Sequence, residues 1–196
     1  MSTLPQMVFL IAVLVCAGAT NMVFVKSPLG RGFSRPIDGG VLLRDGKRLF
    51  GDNKTWKGFF GMIATTAIWL ATAGWLAANF PGIRQLSLIP FEELEFPFNA
   101  WFFGAVLGLA YVLAELPNSF LKRRIDIPPG ENARGIKGFF CLVLDQADSV
   151  IGCVLVLPLF GSITWPDAIM LVVLGSFAHY LTNLGLYAVR LKQQAA

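Results

Sequence analysis

Charge is scarce in this chain: only 14% of its 196 residues are Asp, Glu, Lys or Arg, against about a quarter in an ordinary soluble domain. That composition excludes a disordered chain, a collagen, a coiled coil and a disulfide-stapled scaffold. Cysteine is scarce too. Cys16, Cys141 and Cys153 all lie in apolar runs without a C-x-x-C pair, so neither a disulfide framework nor a zinc site is suggested. A single histidine, His179, removes most Ser-His-Asp and histidine-metal chemistries. What is abundant is apolar surface: 55% hydrophobic residues, 17 Phe and 5 Trp, with a mean hydropathy of +0.63. There is too little polar surface to cover a globule in water, so the bilayer is part of the solvent. At about 20 apolar residues per crossing the chain has room for four to six spans.

Five apolar runs stand out, at about Met7–Val25, Gly58–Ala78, Phe98–Ala114, Phe139–Phe160 and Ala168–Val189. The first has an Ala17-Gly18-Ala19 stretch resembling a cleavage site. It has no preceding positive charge, however, and it is longer than the roughly 7–15 residues of a signal-peptide core; it reads as a retained helix. Segment 26–57 carries eight basic residues against Asp38, Asp45 and Asp52, and segment 117–138 carries five against Asp126 and Glu131. With Arg190 and Lys192, five crossings put 15 of the 16 basic residues on one side, opposite Arg84, Glu92, Glu93 and Glu95. The positive-inside rule then predicts an all-α integral membrane protein of five transmembrane helices, N-terminus outside and C-terminus cytoplasmic. No repeat or linker divides residues 1–196, which read as one membrane-embedded domain. Segment 79–97 reads as an outer loop with a short interfacial helix, and the long Gly-rich segment 26–57 as a functional loop.

Some polar residues fall where the membrane makes them costly. An ionised carboxylate at membrane depth costs about 2.5–3.5 kcal/mol or more. Asp145 and Asp148 lie inside the fourth run, and their i,i+3 spacing puts both on one helix face. Two close carboxylates repel unless a cation or proton intervenes, and oxygen ligands suit Mg²⁺. Ion pairing with the basic residues of segment 117–138 and a proton relay are the alternatives. Asn21, Glu115, Asn118, Ser119 and Asn183 fall at similar depth, so one polar cavity open to the cytoplasm could contain them. Ser176 and His179 lie nearer the midplane and read as helix–helix hydrogen-bonding groups.

Two basic motifs border this region. Gly51-Asp52-Asn53-Lys54-Thr55-Trp56-Lys57-Gly58 leads straight into the second run, where a lysine, a hydroxyl and the backbone N–H groups of a helix start could hold an anion. The spacing is not that of a P-loop. Lys122-Arg123-Arg124 could clamp phosphates; both motifs could also be interfacial anchors. Two carboxylates able to hold Mg²⁺ beside two basic segments fit phosphoryl or nucleotidyl transfer onto a lipid phosphate.

Glu115-Leu116-Pro117-Asn118-Ser119-Phe120-Leu121-Lys122-Arg123-Arg124 followed by Leu144-Asp145-Gln146-Ala147-Asp148-Ser149 resembles the signature of the CTP-dependent cytidylyltransferases of phospholipid synthesis. The closest resemblance is to the five-helix CDP-archaeol synthase family, with the CDP-diacylglycerol synthases as larger relatives. Lys54-Thr55-Trp56-Lys57-Gly58 is similar to their K-T-W-x-G segment. Glu115 stands where the relatives have Asp, and Gln146 where the diacylglycerol enzymes have Arg.

The resemblance implies that a lipid phosphate attacks the α-phosphorus of CTP, releasing pyrophosphate and forming a CDP-lipid. The implied acceptor is 2,3-bis-O-geranylgeranylglycerol 1-phosphate, with phosphatidic acid as the alternative. Asp145, Asp148 and Glu115 would hold Mg²⁺, with Asp145, Asp148, Lys122 and Ser119 as the catalytic set. Asn53, Lys54, Thr55, Trp56, Asn118, Lys122, Arg123 and Arg124 would line the substrate site. The expected partners are CTP, the lipid phosphate and the bilayer of the cell membrane, without nucleic acid; the bilayer-facing surfaces leave room for a homodimer. A small transporter using Asp145 and Asp148 as an ion site is the rival of another class. It requires polar residues continuing to the outer face, where the spans are almost wholly apolar.

Overall fold

The structure is a computed structural model that describes residues 2–94, 99–131, 135–161 and 163–191. Its helices are α1 (Leu4–Lys26), α2 (Trp56–Asn79), α3 (Pro81–Leu86), α4 (Ala100–Arg124), α5 (Gly135–Val156) and α6 (Trp165–Ala188). All but the six-residue α3 are long and apolar enough to cross a membrane, α5 by continuing through a 3₁₀ turn at Leu157–Leu159. Among the described residues there is no strand, only isolated bridges at Pro36–Thr55 and Leu42–Arg48. Glu95, Phe98, Arg134 and Lys192 of the sequence argument lie outside the described residues.

The helix starts carry their own signals. Thr55, Asn99 and Thr164 cap α2, α4 and α6 by accepting from Gly58, Phe102 and Asp167 backbone N–H groups, and proline occupies the first turn of α1 and α6. Each satisfies or removes a donor that hydrocarbon would leave bare.

Two boundary differences bear on the site. α4 runs ten residues past Ala114, through Pro117, so the Glu115–Arg124 motif is helical and not a connecting segment. Proline withholds one N–H and commonly ends a helix. Here Pro117 is exposed, while Asn118, Ser119 and Arg123 on the buried side hold the last turns in place. α5 begins at Gly135, four residues before the expected Phe139, which puts Asp145 ten residues inside it. The outer segment does contain a short helix, α3, followed by a 3₁₀ turn at Phe91–Glu93.

The five long helices pack as a ring in the order α1, α2, α4, α5, α6 and back to α1. Small residues set the close approaches, as they do where lipid supplies no hydrophobic drive between helices. A Cβ on Gly104 would stand 2.6 Å from the Ala67 Cα, and one on Gly108 2.7 Å from the Ile63 Cα, so α4 lies backbone to backbone on α2. The apolar core sits toward the α3 end, where Phe103 meets Phe160 at 4.6 Å between ring centroids and also packs on Phe91. Ser2 donates from its N–H and hydroxyl to Asp167, joining the starts of α1 and α6 at that end. The polar groups gather at the other end.

Candidate active site

On α4, Glu115, Asn118 and Lys122 recur at i, i+3 and i+7 and share a face. That face meets Asp145 and Asp148 of α5. The Asn118 side-chain amide donates at 2.7 Å to Asp145 Oδ1 and at 2.7 Å to Asp148 Oδ2, so one amide spans both carboxylates. Lys122 Nζ forms an ion pair with Asp145 Oδ2, and Lys54, just before α2, reaches Glu115 Oε2. Burial pulls the Lys54 ammonium down, but Glu115, then Asp148 and Asp145, outweigh it and hold its pKa above the ordinary lysine value.

Two lysines face three carboxylates, Glu115, Asp145 and Asp148. Both lysine pairs are partly exposed, so each lysine can exchange its carboxylate for an incoming phosphate. Among the described residues Asp148 has no cation within ion-pair distance; its Oδ1 accepts from the Ser149 N–H at 2.6 Å.

The donor set suits a hard divalent ion that arrives with its own oxygen ligands. Among the described residues no group of three or more His, Cys, Asp or Glu could by itself hold a metal. Mg²⁺ typically takes one or two carboxylates plus substrate phosphates and water, and Asp145 with Asp148 supply that pair. The residues fit Mg²⁺ in that way and do not form a closed cage.

The structure sorts the two basic motifs. Lys54 points into the carboxylate cluster, whereas Lys57, three residues on, is buried and donates to the Val25 and Ser27 carbonyls at 3.0 and 2.7 Å. Lys57 therefore caps the C-terminus of α1, where a cation is favoured. Thr55 is occupied as the α2 cap, and Asn53 is exposed nearby. Trp56 faces outward and stacks on Phe60, a position suited to an interfacial anchor.

In the second motif Lys122 alone enters the cluster. Arg123 is buried, donates from Nε to the Ser119 carbonyl at 3.4 Å, and leaves Nη1 without a partner among the described residues. A buried cationic donor without an acceptor is costly. Arg124 turns away to Asp45 and the Arg48 carbonyl. Ser119 is buried on the Arg123 side of α4.

The single polar cavity expected from sequence is divided. Asn21 donates to the Gly58 carbonyl between α1 and α2. Asn183 donates to Gln146 Oε1 at 2.8 Å, and His179 stands 3.3 Å from both the Tyr111 hydroxyl and the Gln146 carbonyl. These groups join helices, as anticipated for His179. Gln146 thus serves α6, while its neighbour Asp145 serves the site.

Sequence reasoning missed Asp38. Its buried carboxylate accepts from Arg48 Nη2 at 2.7 Å and Nε at 3.3 Å, and from the Gly40, Phe50 and Gly51 N–H groups at 2.9–3.1 Å. Burial works against this charge, but Arg48 and those N–H groups outweigh it and hold the carboxyl well below its usual range. The Ile37 N–H donates to the Lys54 carbonyl at 2.8 Å, so the Asp38 hub fixes the strand of loop that aims Lys54. The signal available was Asp38-Gly39-Gly40, an Asx-turn composition.

The profile of the CarS-like CDP-archaeol synthase family matches residues 7–195. The chain belongs to the CDP-archaeol synthase family. The Pyrococcus furiosus CDP-archaeol synthase is 32% identical over 168 residues, 85% of this chain and 87% of the relative. The Thermococcus kodakarensis CDP-archaeol synthase is 34% identical over 166 residues, 82% of each chain. A solved structure described as an intramembrane enzyme for archaeal membrane lipids biosynthesis superposes with a TM-score of 0.59 at 27% identity, covering 90% of this chain and 92% of that one. As a member of the CDP-archaeol synthase family, the chain is a multi-pass membrane enzyme, a transferase of membrane-lipid synthesis.

Proposed function

We propose that this enzyme transfers CMP from CTP to the phosphate of an archaeal isoprenoid ether lipid, 2,3-bis-O-geranylgeranylglycerol 1-phosphate, at the Asp145/Asp148 cluster. The observation that carries the reading is the convergence of Asp145, Asp148, Asn118, Lys122, Glu115 and Lys54 at one end of an otherwise apolar bundle. That end is cytoplasmic by the positive-inside rule, so CTP arrives from the cytoplasm and the lipid from the side.

In the reaction an oxygen of the lipid phosphate bonds to the α-phosphorus of CTP, the bond from that phosphorus to the β-bridging oxygen breaks, and pyrophosphate leaves. Asp145 and Asp148 would hold Mg²⁺, which when bound would neutralise charge on the phosphates. Lys122 and Lys54 release their carboxylates and move onto phosphate oxygens, where negative charge grows at the leaving group. Arg123 offers its unpartnered Nη1 to a further phosphate oxygen. Asn118 keeps the two aspartates at fixed spacing, and Asp38 keeps Lys54 in reach through the loop.

The apolar chains lodge in the open cleft between α1, α5 and α6, lined by residues such as Leu14, Gly18, Val154 and Leu186. Its polar end at His179 and Asn183 meets α5 at Gln146, next to Asp145.

The test is a parallel assay of purified protein with CTP and Mg²⁺, offering the geranylgeranylated ether phosphate in one arm and phosphatidic acid in the other. CDP-lipid is read by mass. Product from the ether lipid, in excess over the acyl lipid, is expected. Product from phosphatidic acid alone would reassign the acceptor, and absence of product from both would overturn the reading.

A further inference from the structure

We propose that loop 27–55 is a collar that docks onto the anionic headgroup surface of the bilayer around α2 and α4. The proposal rests on the membrane-spanning fold and not on the catalytic reading.

The first observation is where the loop lies. Phe33 packs edge-on against Phe60 at 6.5 Å between ring centroids, and Phe60 stacks on Trp56. Phe60, Ala64, Ile68 and Thr72 form the exposed i,i+4 row of α2, the row that faces lipid. Phe33 therefore sits at the lipid side of α2, level with its first turns. At its other end the loop reaches the last turn of α4. Asp45 pairs with Arg124, and Lys47 donates to the Arg124 carbonyl and pairs with Asp126 at 2.8 Å. Arg124 in turn lies over Phe120, beside the exposed Leu121 and Ile125. The loop thus borders two spanning helices at one membrane surface.

The second observation is what the loop exposes. Leu29, Phe33, Val41 and Leu42 are 67%, 60%, 53% and 59% exposed. Val41 to Leu49 form a tight hairpin, with the Leu43 N–H donating to the Lys47 carbonyl and the Leu49 N–H to the Val41 carbonyl. Such a frame holds Val41 and Leu42 outward. Apolar residues in this position gain from insertion among headgroups and acyl-chain ends.

The third observation is charge. All three loop carboxylates are consumed internally: Asp38 and Asp52 by Arg48, and Asp45 by Arg124. Lys26, Arg31, Arg35 and Arg44 have no carboxylate partner among the described residues. Four uncompensated cations interleaved with exposed apolar side chains complement an anionic lipid surface, to which each basic residue contributes separately. A second protein copy would need carboxylates to match them, and the loop has none to spare.

The test is amide hydrogen exchange of the full chain in three settings: detergent, phosphatidylcholine nanodiscs, and nanodiscs that also contain phosphatidylglycerol. Peptides covering residues 28–46 should exchange roughly tenfold more slowly in the anionic discs than in detergent, with neutral discs between. In a triple variant Arg31→Glu, Arg35→Glu, Arg44→Glu the difference between anionic and neutral discs should vanish. Its turnover in detergent should stay at the wild-type level, which shows that the fold is kept. Equal exchange in all three settings would overturn the proposal. So would protection produced in detergent by inorganic phosphate alone, which would indicate a discrete anion site. Protection that follows the number of protein copies per disc and ignores lipid charge would overturn it in favour of a second copy.

Discussion

The two ends of this bundle are held together by different physics. At the α3 end, Phe91, Phe103 and Phe160 pack with Leu107, Ile89 and Leu157 in a dry cluster. At the other end, Lys54, Glu115, Asn118, Lys122, Asp145 and Asp148 meet through ion pairs and amide hydrogen bonds, with the lysines still partly exposed. Apolar packing has no alternative partner to offer and supports the fold. Ion pairs at a partly exposed surface add little net stability, but each can be traded for a phosphate or a metal. Apolar packing holds one end and exchangeable polar pairs gather at the other, where the reaction is proposed, so substitutions at the two ends should fail in different ways.

The largest effect belongs to Asp148. Replacing it with Asn removes a charge that a divalent cation needs and keeps the shape. Asp148→Asn should lower turnover by roughly 10³-fold or more, with thermal unfolding in detergent shifted little. Turnover near wild type, measured as CDP-lipid by mass, would break the division at its functional end. Phe103→Ala probes the opposite end. Deleting a fully buried ring there should cost about 3–5 kcal/mol of stability, seen as a lower unfolding midpoint, while KM for CTP per folded molecule stays unchanged.

Lys122→Ala should reduce kcat/KM for CTP by about 10²-fold, since it removes one phosphate partner; unchanged kinetics at limiting CTP would assign Lys122 to headgroup anchoring. The smallest effect is at Asp38, which acts through the loop. Its folded carboxyl titrates below the 3.8 of a free aspartate, so the stabilisation it provides is complete above that value and is lost as pH falls below it. Amide exchange in residues 36–55 should therefore accelerate on acidification below about pH 4. Asp38→Asn should show fast exchange already at neutral pH, with KM for CTP raised roughly tenfold and kcat nearly kept. Slow exchange in that variant would show that the hub is dispensable.

Much of this division was readable from residue order. Five apolar runs and one-sided basic charge are hydropathy signals, and they anticipated the five spanning helices. Asp145 and Asp148 announced themselves because carboxylates are rare in apolar runs. The extension of α4 to Arg124 was hidden, because Pro117 reads as a breaker and the polar residues after it lower local hydropathy; only packing on α5 makes that turn worth keeping. Lys54 and Lys57 were indistinguishable in a string, since their fates depend on which helix end each side chain meets. Asp38 looked like one surface acid among three, because its five donors lie at Arg48, Gly40, Phe50 and Gly51 and meet only when the loop closes. Gln146 and Asp145 are adjacent in sequence, yet helix geometry turns them toward different neighbours, α6 and α4.

The central claim is that the Asp145/Asp148 pair forms a metal-assisted nucleotide site, and the direct test is calorimetric CTP binding with Mg²⁺ and with chelator. The wild-type protein should bind CTP at least about tenfold tighter with Mg²⁺, and the double variant Asp145→Asn, Asp148→Asn, still folded by its unfolding midpoint, should lose that enhancement. Equal affinity with and without Mg²⁺ in the wild type, or an enhancement that survives in the double variant, would contradict the account.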